Sequence, residues 1–303
     1  MRNRFLFFTL CLSVSAAAEK PNIVIIFTDD QGYGDVSCYD NPGDIKTPNI
    51  DRIAKAGIKL TSGYSTSAIC GPSRAGLMSG RYQHRFGVAH NRDIFNDGFV
   101  QQTTLPQVLK KSGYTTGMVG KWHLGRTTKD YWPNRRGFDE FYGFLYSMRA
   151  YFEVEGKNNP IFRNTKPLPE PKEYLTDVFN REAVAFIDRH AGKEKPFFLY
   201  LSYNAPHYPL EAKEEDIKLF NTGDKSRDLY LAMMKTVDEG VGMVLDKLES
   251  KGVTDNTLVF FWSDNAGTIE LPTFSVGAFD FLFAITFVIG LLTLGTLSLV
   301  REE

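Results

Sequence analysis

Two kinds of pattern alternate along this chain. Runs of consecutive apolar residues closed by polar turns occur at Asn22–Thr28, 114–119, Phe197–Ser202 and Thr257–Ser263. They read as strands buried on both faces. Between them, at Pro48–Ala56, Leu105–Lys111, 180–190 and 227–250, apolar residues recur at the spacing of an amphipathic helix. The alternation predicts an α/β domain whose central, mostly parallel sheet is flanked by helices. Residues 149–174 hold many Pro, Lys and Asn residues with no period. They read as a long surface excursion at the rim of a binding site.

Chemistry stands directly after each predicted strand. Asp29 and Asp30 follow the first, Lys121, Trp122 and His123 the second, Asn204 through to His207 the third, Asp264 and Asn265 the fourth. In open α/β sheets ligands bind beyond the carboxyl ends of the strands, so the fold would gather these groups on one edge. Asp29, Asp30, Asp264 and Asn265 offer only oxygen donors, a set that suits Ca²⁺ or Mg²⁺ better than zinc. An Asp pair by itself is equally a turn or a helix cap. The carboxylates argue for a metal only if the sheet brings them together, because crowded without a cation they repel and take up protons.

Composition adds few constraints. A length of 303 residues allows one large domain or two small ones. A net charge of −1 supplies no global field toward nucleic acid or anionic lipid, so recognition must be local and no nucleic-acid partner is expected. The two ends say more. Arg2 and Arg4 precede the apolar run 5–14 and the small residues Ala16, Ala17 and Ala18. This is the pattern of a signal peptide over 1–18, cleaved near Glu19, and predicts export to the periplasm or the exterior. Cys11 would leave with it. A disulfide between the remaining Cys38 and Cys70 is the plain option in an oxidising compartment, but the surroundings of Cys70 argue against it. At the other end, 281–300 is uncharged and long enough to cross a bilayer, with a buried helix as the alternative. The expected organisation is a catalytic domain over 19–267 and a hydrophobic tail over 268–303, a membrane tether.

The most specific stretch is Cys70-Gly71-Pro72-Ser73-Arg74-Ala75-Gly76-Leu77-Met78-Ser79-Gly80-Arg81. Pro72 suits the first turn of a helix, where its missing N–H costs nothing. Cys70 then starts the helix, where the dipole favours negative charge, and Arg74 shares its face. The residues by themselves read as a low-pKa thiol beside an arginine, a nucleophile or anion site, or else as an inert packed cysteine.

This stretch closely resembles the signature of the formylglycine-dependent sulfatases, with Ser79 where Thr is common. Resemblance extends to 21–35, to 120–125, to Gly137-Phe138-Asp139, to Ala205-Pro206-His207 and to Ser263-Asp264-Asn265, in family order. It implies an arylsulfatase-like enzyme of the alkaline phosphatase-like fold that hydrolyses aryl or carbohydrate sulfate esters. A maturation enzyme would oxidise Cys70 to formylglycine, whose hydrate is the nucleophile. Asp29, Asp30, Asp264 and Asn265 would hold a divalent cation, usually calcium with magnesium as the alternative, and an oxygen of residue 70 would complete the shell. Arg74 would orient the hydrate. Lys121 and His207 would contact the ester, His207 assisting the leaving alcohol, and His123 would act as base. A phosphoester hydrolase of the same fold is the competing enzyme class, although that class normally uses Ser or Thr with zinc. A non-catalytic remnant that binds sulfated glycans is the third reading.

The resemblance stops after Asn265. The family continues with a glycine-rich turn, a further sulfate-binding lysine and a smaller subdomain, whereas Lys251 is the last lysine here. The expectation is a truncated sulfatase core with an unpaired sheet edge, membrane-associated and poorly active. Such an ending reads either as a tethered short sulfatase or as a sulfatase start joined to part of a membrane protein.

Overall fold

The structure, a computed structural model, describes residues 19–39, 43–95, 97–153 and 159–264. The signal-like segment 1–18, Asn265 and the tail 268–303 with its apolar run 281–300 lie outside the described residues. Among the described residues no helix is long and apolar enough to cross a membrane.

Strands β1 (Asn22–Thr28), β2 (Thr115–Lys121), β3 (Glu140–Phe144), β4 (Phe162–Arg163), β5 (Lys166–Pro167), β6 (Phe197–Ser202) and β7 (Thr257–Ser263) form one sheet in the order β5-β4-β3-β2-β6-β1-β7. From β3 to β7 every pairing is parallel. The carboxyl ends of these five strands therefore share one edge, as the sequence pattern requires. Helices are α1 (Pro48–Ala56), α2 (Cys70–Ser79), α3 (Asp97–Val100), α4 (Leu105–Lys111), α5 (Leu175–His190), α6 (Glu214–Ile217) and α7 (Lys225–Ser250). The architecture is the expected mixed α/β sheet flanked by helices.

Alternation of side chains about each strand splits the core into two layers. Val24 and Ile26 of β1, with Leu199 and Leu201 of β6, pack with Phe179 and Phe186 of α5 and Val237 and Val241 of α7. Ile23, Ile25 and Phe27, with Phe198 and Tyr200, pack on the other face with Ala75, Leu77 and Met78 of α2 and Leu109 of α4. Side chains this size contribute about 1.5–3 kcal/mol each when fully buried. The β1–β6 pair, covered on both faces, is thus the stiffest base available for the loops at its end.

Three elements differ from the sequence expectations. The fourth apolar run, predicted to be fully buried, is the edge strand β7: it is half-buried along most of its length and Leu258 is 40% exposed. Periodicity reports apolar faces, not what covers them. Strand β3 was not expected, because its five residues are aromatic-rich and interrupted by Gly143, and it is parallel pairing with β2 that makes it a strand. Residues 149–174 are also more than a surface excursion. Tyr151, Ile161 and Tyr174 are buried, and β4 and β5 add an antiparallel hairpin to the sheet.

Gly120 marks the close approach of β2 to β6. Its φ is 108°, and a Cβ there would sit 1.8 Å from the carbonyl oxygen of Ser202. Only glycine lets the strand ending in Lys121 lie this close to the strand ending in Ser202.

Candidate active site

Backbone hydrogen bonds tie the strand ends together before any side chain is considered. Asp264 N–H donates to the Thr28 carbonyl (3.1 Å), Tyr203 N–H to that of Phe27 (2.8 Å) and Asp29 N–H to that of Ala205 (3.1 Å). The turns after β1, β6 and β7 are therefore one unit. Two non-glycine residues just past strand ends on this edge adopt left-handed backbone, Asp30 after β1 at φ 64° and His123 after β2 at φ 54°. Such residues cost free energy and cluster where a side chain must be aimed.

The result is the acidic cluster foreseen at the strand ends. Asp29, Asp30 and Asp264 present carboxylate oxygens all within 4.8 Å of one another. Asp29 and Asp264 are fully buried, and the Asp30 N–H donates to Asp264 Oδ1 at 3.3 Å. Asn265, the fourth predicted ligand, lies outside the described residues. The Cys70 thiol is not among these ligating atoms. The sequence expectation for residue 70 concerned an oxygen that only its oxidised form has.

Arg74 and Lys121, both fully buried, face this cluster. Arg74 donates from Nε (3.1 Å) and Nη2 (2.8 Å) to Asp264 Oδ2, and its Nη2 lies 3.2 Å from Asp29 Oδ1. Lys121 Nζ pairs with Asp29 Oδ2. Burial pushes the Asp29 carboxyl up, but Lys121 and Arg74 outweigh it and hold the group well below the usual carboxylate range. Asp264 goes the other way: burial and the neighbouring Asp29 charge push it well above that range.

These residues fit a hard divalent cation. Asp29 Oδ1 is buried and accepts no hydrogen bond, although an arginine nitrogen lies nearby. With all three carboxylates ionised, as a bound cation would require, they leave one negative charge against the two side-chain cations. A divalent cation would turn that into one positive charge, which a singly charged sulfate monoester would then balance.

Cys70 opens α2 as predicted and is buried. Its backbone environment favours a thiolate, yet the thiol pKa is raised: burial is the largest cause, Asp29 and Asp264 add to it, and Lys121 and Arg74 only offset part. The expectation of a low-pKa thiol is thereby corrected. Helix start and arginine were legible in the sequence; the two carboxylates that converge on the sulfur from other strands were not. Cys38 and Cys70 form no disulfide.

The histidines differ in role. His123 is buried, and burial together with Lys121 and Arg74 holds its pKa well below the ordinary value. It is a neutral imidazole with Nδ1 unpartnered, able to accept a proton. His207 sits at the other side. Its Nδ1 donates to the Tyr208 carbonyl (2.6 Å), which turns Nε2 toward Asp30 Oδ2 at 3.6 Å. Every predicted site residue that is described, Cys70, Arg74, Lys121, His123, His207 and the three aspartates, belongs to this one edge.

Several supporting residues escaped sequence reasoning. Ser202 Oγ accepts from Arg74 Nη1 (2.5 Å) and donates to the Lys121 carbonyl (2.7 Å), fixing the arginine to β2 and β6. Its only signal was a polar residue closing an apolar run. Tyr151, from the segment read as surface, uses its hydroxyl to reach the carbonyls of Asn204 (2.7 Å) and His207 (2.8 Å). Asn91 contacts the start of α2, and nothing in the sequence marked it.

The protein-family model described as Sulfatase matches residues 21–278. An uncharacterized sulfatase, YdeN, of Escherichia coli (strain K12) is 35% identical over 84% of this chain and 53% of its own length. The N-acetylgalactosamine-6-sulfatase of Homo sapiens is 34% identical over 86% of this chain and 53% of its own. Among solved structures, Ps i-CgsB in complex with k-i-k-neocarrahexaose superposes with a TM-score of 0.77 at 41% identity, covering 82% of this chain and 59% of that one. The phosphonate monoester hydrolase of Agrobacterium radiobacter, at 18% identity and a TM-score of 0.63, shares the fold. The chain spans about half the length of the curated relatives it matches. With the family model covering most of the described residues, and the acidic cluster, Cys70 and Arg74 gathered where a sulfatase-type sheet would bring them, this chain belongs to the sulfatase family.

Proposed function

We propose that this protein hydrolyses sulfate esters, using a formylglycine made from Cys70 and a divalent cation, Ca²⁺ most readily, held by Asp29, Asp30 and Asp264 with Asn265. The observation that carries the reading is the convergence of three carboxylates, Arg74 and Lys121 around a cysteine at a helix start. A cation there supplies positive charge to the ester oxygens as negative charge builds on them. Oxidised and hydrated, residue 70 supplies an oxygen nucleophile and a second hydroxyl whose proton must be removed to release sulfate.

The chain's own residues do the rest. Arg74 cannot swing away, because four of its five N–H donors are engaged by Asp264, Ser202 and the Lys121 carbonyl, so it offers fixed charge beside residue 70. Fixed charge in a dry site stabilises a transition state without reorganisation. Lys121, held by Asp29 beside the cluster, is a second buried positive charge that would face an ester oxygen. His207 holds its Nδ1 proton on a carbonyl, which leaves Nε2 as the atom that would hand a proton to the leaving alcohol. His123, neutral, takes the proton of the second hydroxyl. A phosphoester hydrolase of this fold normally has Ser or Thr as nucleophile, where this chain has Cys70.

We also propose export, on the pattern of residues 1–18, and a carbohydrate or aryl sulfate as substrate, since relatives bear the names of an N-acetylgalactosamine-6-sulfatase and a protein solved with a neocarrahexaose. The test is co-expression with a formylglycine-generating maturation enzyme, mass spectrometry of the peptide holding residue 70, and an aryl sulfate assay. Formylglycine and weak turnover are expected in the unaltered chain, and neither in Cys70→Ala of unchanged fold. Unmodified cysteine in an active preparation would refute the nucleophile.

A further inference from the structure

Residue 70 has a neighbour that neither the strand ends nor the helix supplies. Ile69, the residue capping α2, makes no side-chain cap, so the first N–H groups of the helix need a partner from elsewhere. Asn91, in the turn Asn91–Phe95, provides it: its Oδ1 accepts from Gly71 N–H at 3.0 Å. That bond fixes which way the amide faces. With Oδ1 on the backbone, Nδ2 lies 3.7 Å from the Cys70 sulfur, within range of a hydrogen bond to sulfur, and the thiol S–H can itself donate to Oδ1 at 3.8 Å.

The turn is built to hold Asn91 there. Asp93 Oδ2 accepts from Ala89 N–H (3.0 Å) and His90 N–H (2.7 Å), pinning the chain on the near side. Ile94, 1% exposed, anchors the far side in the core. Gly71 leaves the space: a Cβ on it would meet Ile94 Cδ1 at 2.1 Å and Asn91 Oδ1 at 2.6 Å. No other residue type at position 71 lets the turn approach the helix start this closely.

We propose that Asn91 is a positioning residue for residue 70: its backbone-locked amide directs one N–H at the side-chain heteroatom and so holds that side chain in a single orientation, toward the acidic cluster. This deepens the reading of residue 70 as the nucleophile and rests on it for its catalytic consequence, but the orientation itself is a property of the unmodified chain.

Asn91→Asp separates the two roles Asn91 could have. A carboxylate caps a helix start as well as an amide, and the dipole favours it, so a capping role alone predicts equal or greater stability; because its added charge slows thiolate chemistry by itself, the neutral Asn91→Ser, which can also cap, is measured beside it. Loss of the N–H donor predicts slower chemistry in both. The first measurement uses protein made without the maturation enzyme: the rate at which iodoacetamide alkylates Cys70 at pH 8, followed on the peptide holding residue 70. The rate is expected to fall at least fivefold both in Asn91→Asp and in the neutral Asn91→Ser, with the urea midpoint of Asn91→Asp unchanged or higher; a fall confined to Asn91→Asp would reflect the added charge alone and would overturn the proposal. An unchanged rate overturns the proposal whether or not the chain is a sulfatase. The second uses matured protein and an aryl sulfate. There kcat is expected to fall at least tenfold with KM within twofold, and Asn91→Ala to lose a similar factor in kcat. A rise in KM alone would mean that the new charge merely repels the ester, and would also overturn it. If the unaltered chain turns over no ester, the proposed hydrolysis by this chain fails while the alkylation result still decides the role of Asn91.

Discussion

Replacing Arg74 by Met removes the charge that holds the site together while keeping most of its volume. Arg74 is fully buried, gives two hydrogen bonds to Asp264 Oδ2, lies 3.2 Å from Asp29 Oδ1 and rests on the Phe27 ring at 5.1 Å. Removing one partner of a buried ion pair costs about 3–5 kcal/mol, because the remaining charge is stranded. Asp264 is stranded here while Asp29 keeps Lys121, and Asp264, already pushed well up by burial and Asp29, can take a proton and cap the loss. The expected cost is therefore about 3–5 kcal/mol at pH 7 in the presence of a chelator, and less at pH 5. Calcium should narrow the gap, since an ion at one hundred times its Kd contributes about 2.7 kcal/mol and the altered site, carrying more negative charge, should bind it more tightly. Urea unfolding followed by circular dichroism, with EDTA and with Ca²⁺, measures each figure. A loss below about 1 kcal/mol in EDTA, or a gap that Ca²⁺ leaves unchanged, would refute the view that Arg74 is the counter-charge of the cluster.

Two further outcomes follow from the same geometry. His123 has a depressed pKa in the folded state, so the native protein binds fewer protons than the unfolded chain; its contribution is present above the unfolded value of about 6.5 and is lost as pH falls below it. His123→Gln should flatten the fall of the urea midpoint between about pH 6.5 and 5, and an unaltered slope would mean that the ring is not held neutral. Asp264→Ala should lower bound Ca²⁺ or Mg²⁺, measured by elemental analysis and by calorimetric titration, at least tenfold in affinity; stoichiometric zinc in the unaltered protein, with neither of the other ions, would overturn the oxygen-donor assignment.

The sequence by itself determined the strands at the centre of the sheet, the helix that starts at Cys70 and the identity of the groups after each strand. Those signals are local: apolar runs, a proline in a first turn, polar residues where a run stops. Asn22–Thr28 and Phe197–Ser202 are strands to the residue because both faces of each are covered, so nothing in their patterns is ambiguous. What the tertiary structure decided is everything that depends on two distant segments meeting. Thr257–Ser263 reads like the other apolar runs, yet it is an edge strand, since hydropathy does not say which neighbours a strand acquires. Helix start and arginine promised Cys70 a low pKa; burial and two carboxylates from the ends of β1 and β7 reversed the sign. Ser202, Tyr151 and Asn91 carry no motif at all, and matter because a hydroxyl or an amide within about 3 Å of a functional group binds it whatever their separation along the chain. Residue types set which chemistry was available, and the folding of five parallel strands onto one edge set which atoms could touch.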